Sequence, residues 1–172
     1  MKTEYLLNEQ VERVLSALTP ENRLVMRVCL HNGLRVGDAL SLKTAQLAPR
    51  FWITEQKTGK RRVVGLPEPL LSELRRQAGQ TWVFENRVNP ERHRTRQAVW
   101  ADVKRAAKAF RLPQNVGTHS ARKVYAVDLM RRYGDIERVR RALNHSNESV
   151  TMIYALADQL LSQRAKKPRR RP

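Results

Sequence analysis

The sequence predicts a mostly α-helical α+β domain with a small antiparallel β-sheet. Apolar residues recur at helical spacing along most of the chain, two short β-prone runs flank one glycine-bearing turn, and 172 residues is one domain's worth of polypeptide. Hydrophobic residues make up 41%, enough for one core, and with only 7 Gly and 8 Pro the composition fits neither a fibrous nor a wholly disordered chain.

The elements follow in order. Val11, Val14, Leu15 and Leu18 share one helical face from Asn8 to Leu18. Thr19-Pro20-Glu21 then supplies an N-cap, a proline at the first helical position and an early carboxylate. The helix so begun runs to Asn32 through Leu24, Val25, Val28 and Cys29, and Gly33 ends it as the residue best able to turn left-handed. Cys29 is read as core. Phe51 to Gln56 and Arg61 to Leu66 form a hairpin across Lys57-Thr58-Gly59-Lys60, with Gly59 supplying the positive φ. Trp82-Val83-Phe84 is a candidate third strand. Further helices fit Glu68 to Gln77, Arg94 to Phe110, His119 to Tyr133, Ile136 to Leu143 and Glu148 to Leu156. Trp52, Trp82 and Trp100 read as core anchors rather than base-stacking platforms, since they lack the clustering of single-strand binders. Tyr125 and Tyr133 lie in an apolar helical pattern. The end of the chain changes character: Arg164 to Pro172 carries six basic residues and no acid, and is expected to be disordered without an anionic partner.

Charge narrows the function classes. Against 34 Lys plus Arg stand 16 Asp plus Glu, a net charge of +18, which calls for a polyanionic partner. No apolar stretch is long enough to span a membrane, and the basic residues are spread along the chain rather than gathered on one amphipathic helix. Nucleic acid is therefore the expected partner, not a membrane. Glu4 stands where a signal peptide needs its apolar run. The lone Cys excludes an intramolecular disulfide, and one Cys with four scattered His offers no zinc site. A cytoplasmic protein is expected.

Four local patterns carry possible chemistry, each weak alone. Arg35 follows the helix end at Gly33, with Asp38 three residues on; by itself this is an ordinary surface ion pair. Lys57 sits at the hairpin tip, where solvated lysines are commonplace. His119 and Arg122 share a helix face at i and i+3, but His93 and Arg96 repeat that spacing in a polar run and read as a loop or surface pair. His145 precedes Tyr154 by nine residues.

Taken in order, Arg35, Lys57, His119 with Arg122, then His145 and Tyr154, the set resembles the tyrosine recombinase (phage integrase) family in its catalytic domain. The resemblance lies in GLRVGDALSL, TEQKTGKRRVVGLP, GTHSARKVYA and LNHSNESVTMIY, and spans about Leu18 to Leu156. It implies a catalytic domain over residues 1–163 and a basic tail over 164–172, in a protein of bacterial or phage origin, associated with the nucleoid when bound. It implies a site-specific recombinase that cuts and rejoins duplex DNA through a 3′-phosphotyrosyl link. No metal or nucleotide cofactor is required, since the covalent link conserves the bond. Tyr154 would be the nucleophile and Arg35 with Arg122 the phosphate clamp. His119 would accept the tyrosine proton, Lys57 would protonate the leaving oxygen, and His145 would hydrogen-bond the phosphate. Asp38 would brace the Arg and His residues. A tetramer on double-stranded DNA is expected, with a monomer when free.

Departures from the family pattern are few. Asn144 stands where Gly often precedes the last His, and Asn tolerates a left-handed turn. Asp38 is shorter than the commoner Glu, and Ala121 and Lys123 flank Arg122 less typically. Most relatives add an amino-terminal core-binding domain, which the 18 residues before Thr19 cannot form. A naturally minimal recombinase and the catalytic domain of a longer protein both fit. A type IB topoisomerase uses a similar residue set, but the compact length and the His-to-Tyr spacing favour a recombinase. The alternatives in other classes are a noncatalytic DNA-binding or regulatory protein that keeps the fold, and an RNA-binding structural protein supported by charge alone.

Overall fold

Pro20, Gly33 and Gly59 punctuate the chain where the sequence places its turns. The computed structural model describes residues 6–144. Within them run α1 (Asn8–Ala17), α2 (Pro20–Asn32), α3 (Val36–Leu40), a 3-10 turn (Thr44–Gln46), β1 (Arg50–Thr54), β2 (Arg61–Gly65), α4 (Glu68–Gln77), α5 (Arg96–Ala109), α6 (Thr118–Tyr133) and α7 (Ile136–Leu143). The architecture is the mostly helical α+β one expected, with a two-stranded antiparallel sheet among the described residues. By packing, the described residues divide into two units, 6–125 and 126–144.

In the first unit α2 is the central helix. Val25, Val28 and Cys29 on it are fully buried, and it packs against α1, α3, α4 and α5. Leu71 and Leu74 of α4, Val99, Val103 and Ala106 of α5 and Val64 of β2 fill the same core. Each buried Val or Leu stabilises the fold by about 1.5–3 kcal/mol relative to exposure.

The start of α2 differs from its expected cap. Thr19 occupies the N-cap position, but its side chain does not cap the helix. Instead Asp102 reaches over from α5, and its Oδ2 accepts from the Thr19 backbone N–H at 2.9 Å, Thr19 Oγ1 at 3.0 Å and Asn22 Nδ2 at 2.8 Å. A carboxylate at a helix N-terminus satisfies otherwise orphaned donors and meets the positive end of the dipole. On α5 the cap is local, with Thr95 Oγ1 accepting from the Ala98 N–H, so the helix begins two residues later than expected.

The hairpin pairs Arg50 with Gly65 through Thr54 with Arg61. Strand parity sends Phe51 and Ile53 toward the core and Trp52 outward. This corrects the reading of the tryptophans: Trp52 is 55% exposed and Trp100 52% exposed. Each carries a cation on its ring, Arg61 at 4.9 Å over Trp52 and Lys104 at 5.9 Å over Trp100. Trp82 is half-buried, with His93 edge-on at 5.2 Å. Trp82 to Phe84 is not a third strand. It makes one bridge, Trp82 to Lys43, and Gln77 Nε2 donates to the Val83 carbonyl where a ladder partner would stand.

In the second unit, Asp135 caps α7 by accepting from the N–H groups of Glu137 and Arg138. Val139 and Leu143 are buried. Tyr133, expected within an apolar pattern, is 43% exposed, with Arg138 over its ring. Asn144 ends α7 with φ 54°, the left-handed turn anticipated where relatives often have Gly. The expected helix Glu148 to Leu156, His145, Tyr154 and the basic tail lie outside the described residues.

Asp102 gives the first prediction. Burial alone would raise its pKa, but the bonds from Asn22, Thr19 and Arg105 outweigh it and hold the carboxyl below the usual range. Its contribution is therefore present above the ordinary Asp value and is lost as pH falls through the lowered one. Asp102→Ala is expected to cost about 2–4 kcal/mol in denaturant unfolding at neutral pH, and less in acid; an unfolding curve matching the parent at pH 7 would refute this.

Candidate active site

Three chain segments meet beside the amino end of α3. The first is the α2–α3 junction. Gly33 takes φ 62°, and a Cβ there would stand 2.2 Å from the Tyr125 ring, so glycine is required by both conformation and space. The turn it makes sets Arg35 just ahead of α3 and Asp38 inside it, both at the base of the site.

The second segment is the hairpin turn. Lys57 is exposed at its tip, as expected. The turn is closed by the Glu55 N–H donating to the Lys60 carbonyl at 3.0 Å and the Gly59 N–H donating to the Glu55 carbonyl at 2.9 Å. Gly59 has φ 66°. The third is the start of α6, where His119 opens to solvent and Arg122 is buried on the turn behind it. Arg122 Nη1 donates to the Gly33 carbonyl and so ties α6 to the α2–α3 junction.

A buried carboxylate that the sequence reading passed over holds these pieces together. Glu55 is fully buried. Its Oε2 accepts from Arg35 Nη1 and from Thr58 Oγ1, both at 2.9 Å, and its Oε1 accepts from Arg62 Nη1 at 3.3 Å. Arg62 also donates through Nη2 to the Asn32 carbonyl at 2.6 Å. One signal in the sequence points to Glu55: it shares the inward parity of Phe51 and Ile53, where an apolar residue would be routine. Asp38 meets the next residue, its Oδ1 accepting from the Gln56 N–H at 2.9 Å, while its Oδ2 stands 4.0 Å from Arg35 Nη1.

The electrostatics follow from this packing. Burial would raise the Glu55 pKa, but the bonds from Thr58 and Arg35 and the charges of Arg35 and Arg62 hold it below the usual range. Asp38 goes the other way, raised by burial and by Glu55 against the opposing Gln56 bond and arginine charges. Burial and the neighbouring Arg35 push Arg122 down to about 10, which leaves it cationic at neutral pH. His119 is lowered first by partial burial, then by the charges of Arg122, Arg35, Lys123 and Lys57. Its imidazole is thus neutral at pH 7, a proton acceptor set among cations.

Arg35, Asp38, Lys57, His119 and Arg122 therefore lie around one locus within the first unit. His93 and Arg96 do not join it; His93 packs on Trp82 and its Nδ1 faces the Arg94 carbonyl. Among the described residues no cluster of His, Cys, Asp or Glu could hold a metal ion. Cys29 is fully buried and its thiol is pushed up to about 12 by desolvation, as suits a core residue.

Residues 4–160 match the model of the phage integrase family. The chain belongs to that family. The integrase of Escherichia phage P2 is 29% identical over 155 residues, covering 90% of this chain and 43% of the relative. A tyrosine recombinase of Thermosipho africanus is 28% identical over 168 residues, covering 91% and 58%. The chain thus spans about half the length of these curated relatives. Among solved structures, the catalytic domain of bacteriophage HP1 integrase superposes with a TM-score of 0.68 at 22% identity, covering 99% of each chain. XerH recombinase bound to a palindromic difH substrate in a post-cleavage complex gives 0.71 at 23% identity, covering 95% of this chain and 52% of that one. The family fold is therefore shared.

The charge environment of this candidate site can be tested without DNA. Lys57→Met removes one exposed cation, and the titration midpoint of His119, followed by NMR of the ring, is expected to move up toward the ordinary imidazole range. An unmoved midpoint would show that Lys57 does not act on the imidazole.

Proposed function

We propose that the chain is the catalytic part of a site-specific recombinase that cleaves and rejoins double-stranded DNA through a 3′-phosphotyrosyl intermediate. One observation carries the reading: Arg35 is bonded to Glu55 at the turn that bears Lys57, and Arg122, one helical turn behind His119, is bonded to the Gly33 carbonyl, so that three separate segments bring these cations and the imidazole together. A neutral base ringed by fixed cations suits a reaction in which a proton leaves a hydroxyl as negative charge builds on a phosphate.

Each residue then has a role. Tyr154 attacks the phosphorus, and its hydroxyl, with an ordinary pKa of about 10, passes its proton to neutral His119. Arg35 and Arg122 bind the nonbridging oxygens, where a planar guanidinium can engage two at once and stays charged. Lys57, on its turn, protonates the departing 5′ oxygen. His145 hydrogen-bonds the phosphate. Asp38 holds the turn that carries Lys57. The reverse attack by a second 5′ hydroxyl restores the backbone, so no external energy source enters. The partner is duplex DNA, with recombination in a tetramer. The named complexes of XerH with difH and of lambda integrase with its core site and a Holliday junction are those of relatives, and they support duplex DNA as the partner. The basic run 164–172 adds contacts to the DNA backbone.

Steep loss of affinity with salt is expected of any DNA binder this basic and does not separate a recombinase from a noncatalytic DNA-binding protein. Covalent capture does. With nicked suicide duplexes carrying the sequence that flanks the gene, and with pooled random duplexes, the protein is expected to form a denaturant-resistant adduct that Tyr154→Phe abolishes. An adduct that survives the substitution rules out Tyr154, and binding without any adduct favours the noncatalytic reading. Arg35→Ala is expected to lower single-turnover cleavage by about 100- to 1000-fold, the usual cost of one preorganised donor to a developing charge; a loss below about tenfold would remove Arg35 from the clamp.

A further inference from the structure

We infer that Glu55 is a positioning residue that locks Arg35 to the turn bearing Lys57, so that the guanidinium and the ammonium reach the scissile phosphate as one unit. The inference rests on the recombinase reading of the site and adds a residue and a coupling to it.

Several bonds meet at Glu55. Its carboxylate takes Arg35 through Oε2 and Arg62 through Oε1, and the same Oε2 takes the Thr58 hydroxyl from the residue after Lys57. Its backbone closes the turn at both Lys60 and Gly59. The neighbouring Gln56 N–H is held by Asp38, three residues beyond Arg35. The α3 start and the hairpin turn are therefore joined at two adjacent points, with Lys57 next in the chain. On the far side Arg62 carries the link to the carbonyl of Asn32, whose Oδ1 in turn accepts from the Gly65 N–H at 3.1 Å.

A purely structural role fits this position less well. A buried ion pair is often no more stabilising than well-packed apolar side chains of similar volume, because both charges must be desolvated. Glu55 follows Phe51 and Ile53 on the inward side, where apolar residues in place of the whole Glu55, Arg35 and Arg62 group would fill the core with no charge to desolvate. A carboxylate there instead fixes direction: it fills one Nη of Arg35 and sets the plane of the guanidinium, as outer carboxylates orient metal-binding histidines. It also prevents Arg35, Arg62 and Arg122 from facing one another with no intervening anion.

Glu55→Gln keeps the shape and removes the charge. On the suicide duplex that traps the wild-type protein, its single-turnover cleavage rate is expected to fall about 10- to 100-fold, the usual range for residues that orient a catalytic group. Its affinity for the same duplex is expected to change less than about threefold, since few of the phosphate contacts that govern binding are touched. The deciding readout is non-additivity. In a Lys57→Ala background, and separately in an Arg35→Ala background, the Glu55→Gln penalty is expected to shrink to less than about threefold, since the group that Glu55 positions is already gone. A full penalty in both backgrounds, or none in the parent, would overturn the inference. Thr58→Val, at a half-buried turn position, removes only the hydroxyl bond and serves the same cycle should Glu55→Gln fail to fold.

Amide hydrogen exchange at residues 56–60 keeps this test separate from that of the function. Both Glu55→Gln and Arg35→Ala are expected to speed exchange there while leaving α2 and α4 protected. Unchanged exchange would refute the coupling even in a protein that cleaves DNA. A wild-type protein that forms no adduct would refute the recombinase reading even if exchange at the turn responds to both substitutions.

Discussion

Like charges repel, and a locus that gathers several cations needs something to hold them in one place. The interaction on which this arrangement depends is the buried carboxylate of Glu55 between Arg35 and Arg62. At about 4 Å and an effective dielectric constant near 20, two unit charges interact by about 4 kcal/mol, so three guanidiniums and a lysine gathered at one locus would spread apart if nothing opposed them. Glu55 opposes that repulsion for Arg35 and Arg62, and the Gly33 carbonyl supplies a dipole for Arg122. The backbone has adapted to these partners. Gly33 frees its carbonyl by turning left-handed, and Asn32 gives its own carbonyl to Arg62.

The helical scaffold makes that arrangement rigid. The described cations and the imidazole of the site sit near element boundaries: Arg35 at the N-cap of α3, Lys57 in the turn between β1 and β2, and His119 and Arg122 in the first two turns of α6. Boundaries are where backbone polar groups lack intrahelical partners and where side chains can point away from the core. The elements themselves are fixed by apolar burial, α2 above all. A change of one methylene in that core is felt by its neighbours, so the site inherits its precision from close packing some distance away. Asp102 works in the same direction: by capping α2 from α5 it joins two core helices through a polar contact that has no counterpart in the apolar pattern.

How much of this was legible in the sequence depends on the range of the interaction. Helix spans set by local periodicity and by proline or glycine, such as Pro20–Asn32, Glu68–Gln77 and Ile136–Leu143, are found with the boundaries their residues predict. The five-residue helix α3 has no period long enough to detect, and the sequence shows only the turn before it. Trp52 and Trp100 depart from the core placement expected of large aromatics, because strand parity and helical phase put both outside, under Arg61 and Lys104. Arg35, Asp38, Lys57, His119 and Arg122 were found through their order along the chain and the family pattern it matches. Glu55 and Arg62 carry no such local signal, since their partners lie up to 30 residues away and no local rule pairs a strand-end acid with an arginine before a helix.

The same charge balance separates the two acids of the cluster. Asp38 is raised by burial and by Glu55 despite the nearby arginines, whereas Glu55, with three direct donors, is lowered. The difference lies in what each carboxyl touches: Glu55 takes Arg35, Thr58 and Arg62 directly, whereas Asp38 meets the Gln56 N–H through Oδ1 and stands 4.0 Å from Arg35 through Oδ2. Direct bonds from guanidiniums offset the cost of burying a carboxylate better than charges at a distance do, so the acid that bridges Arg35 and the hairpin turn is the one whose charge the packing favours.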